Sequence, residues 1–75
     1  SNIEIKFWVK DNFKIKDIQF YLDGEWEPVS FNPLTGKAEV NIKRSINKSE
    51  SNFEIYVEDK SGNFSKFEGK IIYKK

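Results

Sequence analysis

Along most of this chain, hydrophobic and polar residues take turns. Ile3, Ile5, Phe7 and Val9 alternate with Glu4, Lys6, Trp8 and Lys10. Strand side chains point to opposite faces in turn, so this spacing predicts a strand with one apolar face. Ile18, Phe20 and Leu22 against Asp17, Gln19 and Tyr21 predict a second strand over residues 15–22. A third covers residues 25–31; its Pro28 has no N–H to donate, which predicts an edge position or a bulge. Ala38, Val40 and Ile42 against Glu39, Asn41 and Lys43 make the fourth. Residues 47–52 are polar and read as a loop. Phe53, Ile55 and Val57 against Glu54, Tyr56 and Glu58 give the fifth and most regular strand. Phe67, Gly69, Ile71 and Tyr73 share one parity in the sixth. No segment of useful length has helical periodicity.

The breaks between these runs have turn chemistry. Asp23-Gly24 between two alternating runs predicts a type I′ hairpin. Asn32-Pro33-Leu34-Thr35-Gly36 and Asp59-Lys60-Ser61-Gly62-Asn63 predict two more turns, the latter closing a hairpin. Six short strands with polar turns indicate an all-β sandwich or barrel. The hairpins place strands two and three in one sheet, and five and six likewise. The simplest closure is a sheet ordered three, two, five, six, opposed by strands one and four. Its inward set is Ile5, Phe7, Val9, Ile18, Phe20, Leu22, Val40, Ile42, Phe53, Ile55, Val57, Phe67 and Ile71. A two-stranded sheet is marginal and leaves an open edge. A strand upstream of Ile3, or weak self-association with a second copy, is expected to cover it. Glu54 and Glu58 beside the apolar run discourage edge-to-edge pairing.

Length narrows the picture to one domain over residues 1–75, with Ser1-Asn2 read as a tag remnant. Ile, Phe, Val and Leu together number 22, too many for a disordered chain. There is no Cys and no His, which excludes disulfides and thiolate or imidazole metal sites. The twelve aromatics are expected to supply burial that small domains often replace with such staples. Thirteen basic and twelve acidic residues are interleaved, for a net charge of +1. No strong field is available to steer nucleic acid or membrane, and no apolar run approaches a membrane span. Lys43-Arg44 and Lys74-Lys75 are the adjacent basic pairs. Neither nucleic acid nor membrane is expected as a partner, and no cofactor is implied.

Candidate chemistry is sparse. Without His or Cys, the commonest general base and the best nucleophile are missing. Glu54 and Glu58 form a carboxylate pair on the polar face of a strand, which reads as a solvated face rather than an acid–base pair. Asp11, Glu58 and Asp59 could offer oxygen ligands to Ca²⁺, but Asp11 and Asp59 read better as organisers of their own turns. No metal site is assigned. The exposed aromatics are the sharpest feature. Trp8, Tyr21 and Tyr56 have outward parity. Tyr21 and Tyr56 lie on neighbouring strands, and Trp26 on the next strand extends them into a row. Such a row stacks on sugars, packs on another domain, or stabilises its own sheet.

Residues 11–24, Asp-Asn-Phe-Lys-Ile-Lys-Asp-Ile-Gln-Phe-Tyr-Leu-Asp-Gly, resemble a recurring segment of bacterial immunoglobulin-like and fibronectin type III-like modules. An Asp-rich loop there precedes a strand ending in Asp-Gly. Residues 57–63, Val-Glu-Asp-Lys-Ser-Gly-Asn, resemble the penultimate strand of those modules and its Asp-x-x-Gly-Asn turn. The resemblance spans residues 3–73 and rests on turn chemistry. It implies a small immunoglobulin-like β-sandwich, a non-catalytic spacer or interaction module in a larger secreted or cell-surface bacterial protein. Neighbouring domains of that protein would be its partners. The strand that usually precedes the one matching residues 3–10 has no counterpart. Two other functions remain open on the residues: a carbohydrate-binding module using the aromatic row, and a small oligonucleotide-binding barrel. Mixed charge disfavours the second, since binding a nucleic-acid backbone needs a positive groove.

Overall fold

The alternating runs pair into two antiparallel sheets. The computed structural model describes residues 3–10, 14–43 and 46–73. Seven strands follow in chain order: β1 (Ile3–Trp8), β2 (Ile15–Leu22), β3 (Glu25–Glu27), β4 (Val29–Asn32), β5 (Lys37–Ile42), β6 (Glu50–Asp59) and β7 (Phe64–Ile72). One sheet has the order β1-β5-β4 and the other β3-β2-β6-β7. They form an open, sandwich-like fold 40 Å in its longest dimension.

The expected sheet of four is present in the expected order. Its first hairpin turns at Asp23 (φ 51°) and Gly24 (φ 81°). Two consecutive positive φ values define the type I′ turn that Asp-Gly favours. The expected third strand needs correction. It is two strands, β3 and β4, separated by Pro28. β3 pairs with β2 through Tyr21 and Trp26, whereas β4 pairs with β5 through Val29 and Val40. Proline cannot extend a ladder, so the chain leaves one sheet there and joins the other. The second sheet therefore has three strands, not two. The loop expected over residues 47–52 is shorter, because β6 begins at Glu50.

Phe20, Leu22, Ala38, Val40, Ile42, Ile18, Ile55 and Val57 form the buried core. The Phe20 ring stacks with Phe7 of the opposing sheet, 6.3 Å between centroids, and with Phe53 of its own sheet, 6.2 Å. Ile5, Phe7, Val9, Phe53 and Ile71 pack around this core, as do Ile3, Ile15, Val29, Phe31 and Ile46, which the expected inward set lacks. Phe67 is a further correction. It stands opposite Ile55, on the inner face, yet is 57 % exposed. Four strands face three, and among the described residues no strand crosses above this part of β7. Gly69, opposite Phe53, leaves room for the Phe53 ring. A Cβ at Gly69 would lie 2.9 Å from two of that ring's carbons.

Candidate functional site

Three of the four aromatic candidates meet on the outer face of the larger sheet. Burying Phe20 and Leu22 turns Tyr21 outward, and burying Ile55 and Val57 does the same for Tyr56. The Tyr21 and Tyr56 rings are 5.7 Å apart in an edge-to-face contact at 83°. Trp26 stands opposite Tyr21 across the β2–β3 ladder and is 57 % exposed. The polar tips of Trp26 and Tyr56 are already engaged. Trp26 Nε1 donates to Gln19 Oε1, and Gln19 Nε2 donates to Asp17 Oδ2. The Tyr56 hydroxyl donates to Glu54 Oε2 at 3.3 Å. Lys66 Nζ lies 5.6 Å from the Tyr56 ring centroid and 3.1 Å from Glu54. Its hydrogen bond to Glu54 holds the ammonium above the usual lysine range. Perpendicular rings share no plane, so Tyr21 and Tyr56 do not make one flat platform. They stabilise the face they stand on.

Trp8 is elsewhere. It lies on β1, in the smaller sheet, and is 65 % exposed. It borders a cleft of about 730 Å³ between β1 and the inner face of β6 and β7, with Phe7, Val9, Ile15, Val57 and Phe67. Sequence reasoning missed this cleft. Its signal was the imbalance between the sheets, since a longer sheet must leave part of one strand uncovered.

The carboxylates serve the scaffold. Asp59 Oδ1 accepts the N–H groups of Ser61 and Asn63, both at 2.9 Å, and Oδ2 accepts from the Asn63 amide at 3.1 Å. The Asn63 N–H, followed by the Asn63 side chain, holds the Asp59 carboxyl below the ordinary range. Asp59 thus organises its turn. Glu58 pairs with Lys16 at 3.5 Å, and Glu54 with Lys66 on a flat face. Asp11 and Arg44, like Lys74 and Lys75, lie outside the described residues. Among the described residues, no group of three or more carboxylates could hold a metal ion.

A second polar cluster, also missed, closes the opposite end. Asp23 Oδ1 accepts the Asn52 N–H at 2.9 Å, and Lys48 Nζ lies 3.4 Å from Oδ2. Buried Ser51 accepts from the Tyr73 hydroxyl at 2.8 Å. The Ser51 hydroxyl, then the Asn52 N–H, depresses the Asp23 carboxyl. The available signal was parity: counting back from Val57, Ile55 and Phe53 lands on Ser51. Compared with protein families, curated proteins and solved structures, the chain matches none of them.

Proposed function

We propose that this chain is a non-catalytic immunoglobulin-like module that spaces or presents other domains of a larger secreted or cell-surface bacterial protein. Strand order is the observation that supports the reading. Immunoglobulin sandwiches set strands B, E and D against C, F and G, with an added C′ beside C in some types. The sheet β1-β5-β4 corresponds to B-E-D, and β3-β2-β6-β7 to C′-C-F-G. The turns at Asp23-Gly24 and Asp59–Asn63, which carry the sequence resemblance, close the C–C′ and F–G hairpins of that order. A spacer role also agrees with carboxylates committed to the scaffold: Glu54 and Glu58 each pair with a lysine, and Asp59 holds its own turn.

Carbohydrate binding is the second reading, favoured by the exposed Trp26 beside Tyr21. Titration with soluble glycans, followed by Trp fluorescence and by Tyr21 and Tyr56 resonances, separates the two. A spacer gives no saturable change. A saturable shift abolished by Tyr56→Ala, with the fold retained, establishes the sugar-binding reading instead.

A further inference from the structure

The geometry points to a guanidinium-binding site on the outer face of the larger sheet, made by the Trp26 ring and the Asp17 carboxylate with Tyr21 beside them. The occupant is an arginine side chain of a partner protein. This rests on the reading of the chain as a non-catalytic interaction module and names the surface it uses and the chemistry of its partner.

The sheet carries its own precedent. On the β6–β7 side, Lys66 Nζ lies 5.6 Å from the Tyr56 ring centroid and 3.1 Å from Glu54. An aromatic face and a carboxylate there share one cation. The β2–β3 side repeats the pattern with other residues. Trp26 is the aromatic, 57 % exposed, and Asp17 is the carboxylate. Gln19 links them: its Oε1 accepts the indole N–H, and its Nε2 donates to Asp17 Oδ2 at 2.6 Å. Among the described residues, no lysine or arginine pairs with Asp17. Its chain neighbour Lys16 turns to Glu58 instead, at 3.5 Å. The indole N–H lies in the ring plane, so its hydrogen bond fixes the ring by one edge and leaves the π face unused. A ring fixed in advance loses little freedom when a ligand stacks on it.

Charge selects a cation. The interleaving of signs fails over residues 17–36, which hold Asp17, Asp23, Glu25 and Glu27 and no Lys or Arg. β3 and all of β2 beyond Lys16 lie in that stretch. A basic partner is drawn to it and an acidic one repelled. Hydrogen bonding then separates a guanidinium from a sugar. Two donors of this face are spent, the Trp26 N–H on Gln19 and the Tyr56 hydroxyl on Glu54. Asp17 keeps acceptor positions beyond the one that Gln19 uses. A sugar hydroxyl both donates and accepts, whereas a guanidinium has five N–H donors and no acceptor. Its plane stacks on an indole, and it is more weakly hydrated than an ammonium, so arginine fits better than lysine. Trp, Tyr and Arg are also the residues that most often anchor protein interfaces.

The test uses the full chain and the peptide acetyl-Gly-Gly-Arg-Gly-Gly-amide, followed by NMR at low salt. Weak, saturable shifts are expected at the Trp26 indole N–H and at the amides of Asp17, Gln19 and Tyr21. They should shrink as salt is added. Citrulline in place of arginine keeps the planar shape without the charge and should abolish them. Asp17→Asn keeps an acceptor for Gln19 and removes the charge, and Trp26→Leu removes the ring. Each is expected to weaken binding about threefold or more. Asp17→Lys supplies a cation from within the chain and should abolish binding. The two Asp17 variants keep the test valid if Trp26→Leu disturbs β3. No saturable shift, equal binding of the citrulline peptide, shifts confined to the smaller sheet, or unchanged affinity in Asp17→Asn would each overturn the proposal. Failure here leaves the spacer reading intact, whereas a glycan shift abolished by Tyr56→Ala sinks that reading and not this one.

Discussion

Phe20 and Phe67 are the same residue type on the same face of the same sheet, yet Phe20 is 1 % exposed and Phe67 57 %. Phe20 lies on β2, near the middle of its sheet, and meets Phe7 from the sheet opposite. Phe67 lies on the edge strand β7, with no strand above it among the described residues. Hydrophobicity and parity are equal at the two positions; coverage is not. The hydrophobic effect scales with area removed from water, so only the covered ring contributes its full share to stability.

Truncating both rings exposes that difference most directly. Phe20→Ala should cost about 3–5 kcal/mol, the range for a buried aromatic. A domain of this size has roughly 5 kcal/mol to lose, so the variant should be largely unfolded at room temperature. Phe67→Ala should cost about 1 kcal/mol or less. Urea unfolding followed by Trp fluorescence measures both, and equal losses would mean that β7 is covered after all.

A smaller effect tests the seam between the two regions. Gly69→Ala puts a methyl group 2.9 Å from the Phe53 ring, which itself stacks on Phe20. Overpacking of this kind costs about 1–3 kcal/mol. Thermal unfolding should show a clear drop in Tm, and an unchanged Tm would mean the Phe53 ring does not lie over Gly69.

The smallest effect is set by pH. Asp23 and Asp59 both have carboxyls depressed by hydrogen bonds, chiefly from Ser51 and from the Asn63 N–H. A folded pKa below the unfolded value of about 3.9 contributes stability that is complete above about pH 4. It is lost as pH falls through the depressed folded value. Tm should therefore hold steady down to about pH 5 and fall below pH 4, and less steeply in Asp23→Asn than in the unaltered chain. Identical acid limbs for the two proteins would remove Asp23 from this account.

Much of the larger sheet could be read from the chain. β2 was legible to the residue because its alternation ends at Asp-Gly, and that turn dictates its own hairpin. The neighbouring positions of Tyr21, Trp26 and Tyr56 followed from parity plus the order of the hairpins. Pro28 hid the rest. Glu25 and Glu27 share a face with Leu22 and Phe20, while Val29 and Phe31 face the same core from the other sheet. Crossing a sandwich corner keeps inner positions inner, so the parity of residues 25–31 runs on unbroken and gives no sign of the switch. The expected division, four strands against two, already implied an uncovered strand; what it lacked was the order β1-β5-β4, which puts the gap over β7, beside Phe67 and Trp8.

One residue, Pro28, joins β3 to β4, whereas the other two connections between the sheets, β1 to β2 and β5 to β6, are longer. The molecule is thus bound like a book, with its spine at Pro28 and its fore-edge where β1 and β7 part. The leaves cannot separate at the spine without tearing the β3 and β4 ladders from their sheets. At the fore-edge no ladder or backbone hydrogen bond joins them among the described residues. Any breathing of the sandwich therefore runs one way, widening the gap beside Trp8 and Phe67 while Leu22, Val40 and Ile42 stay shut in the gutter.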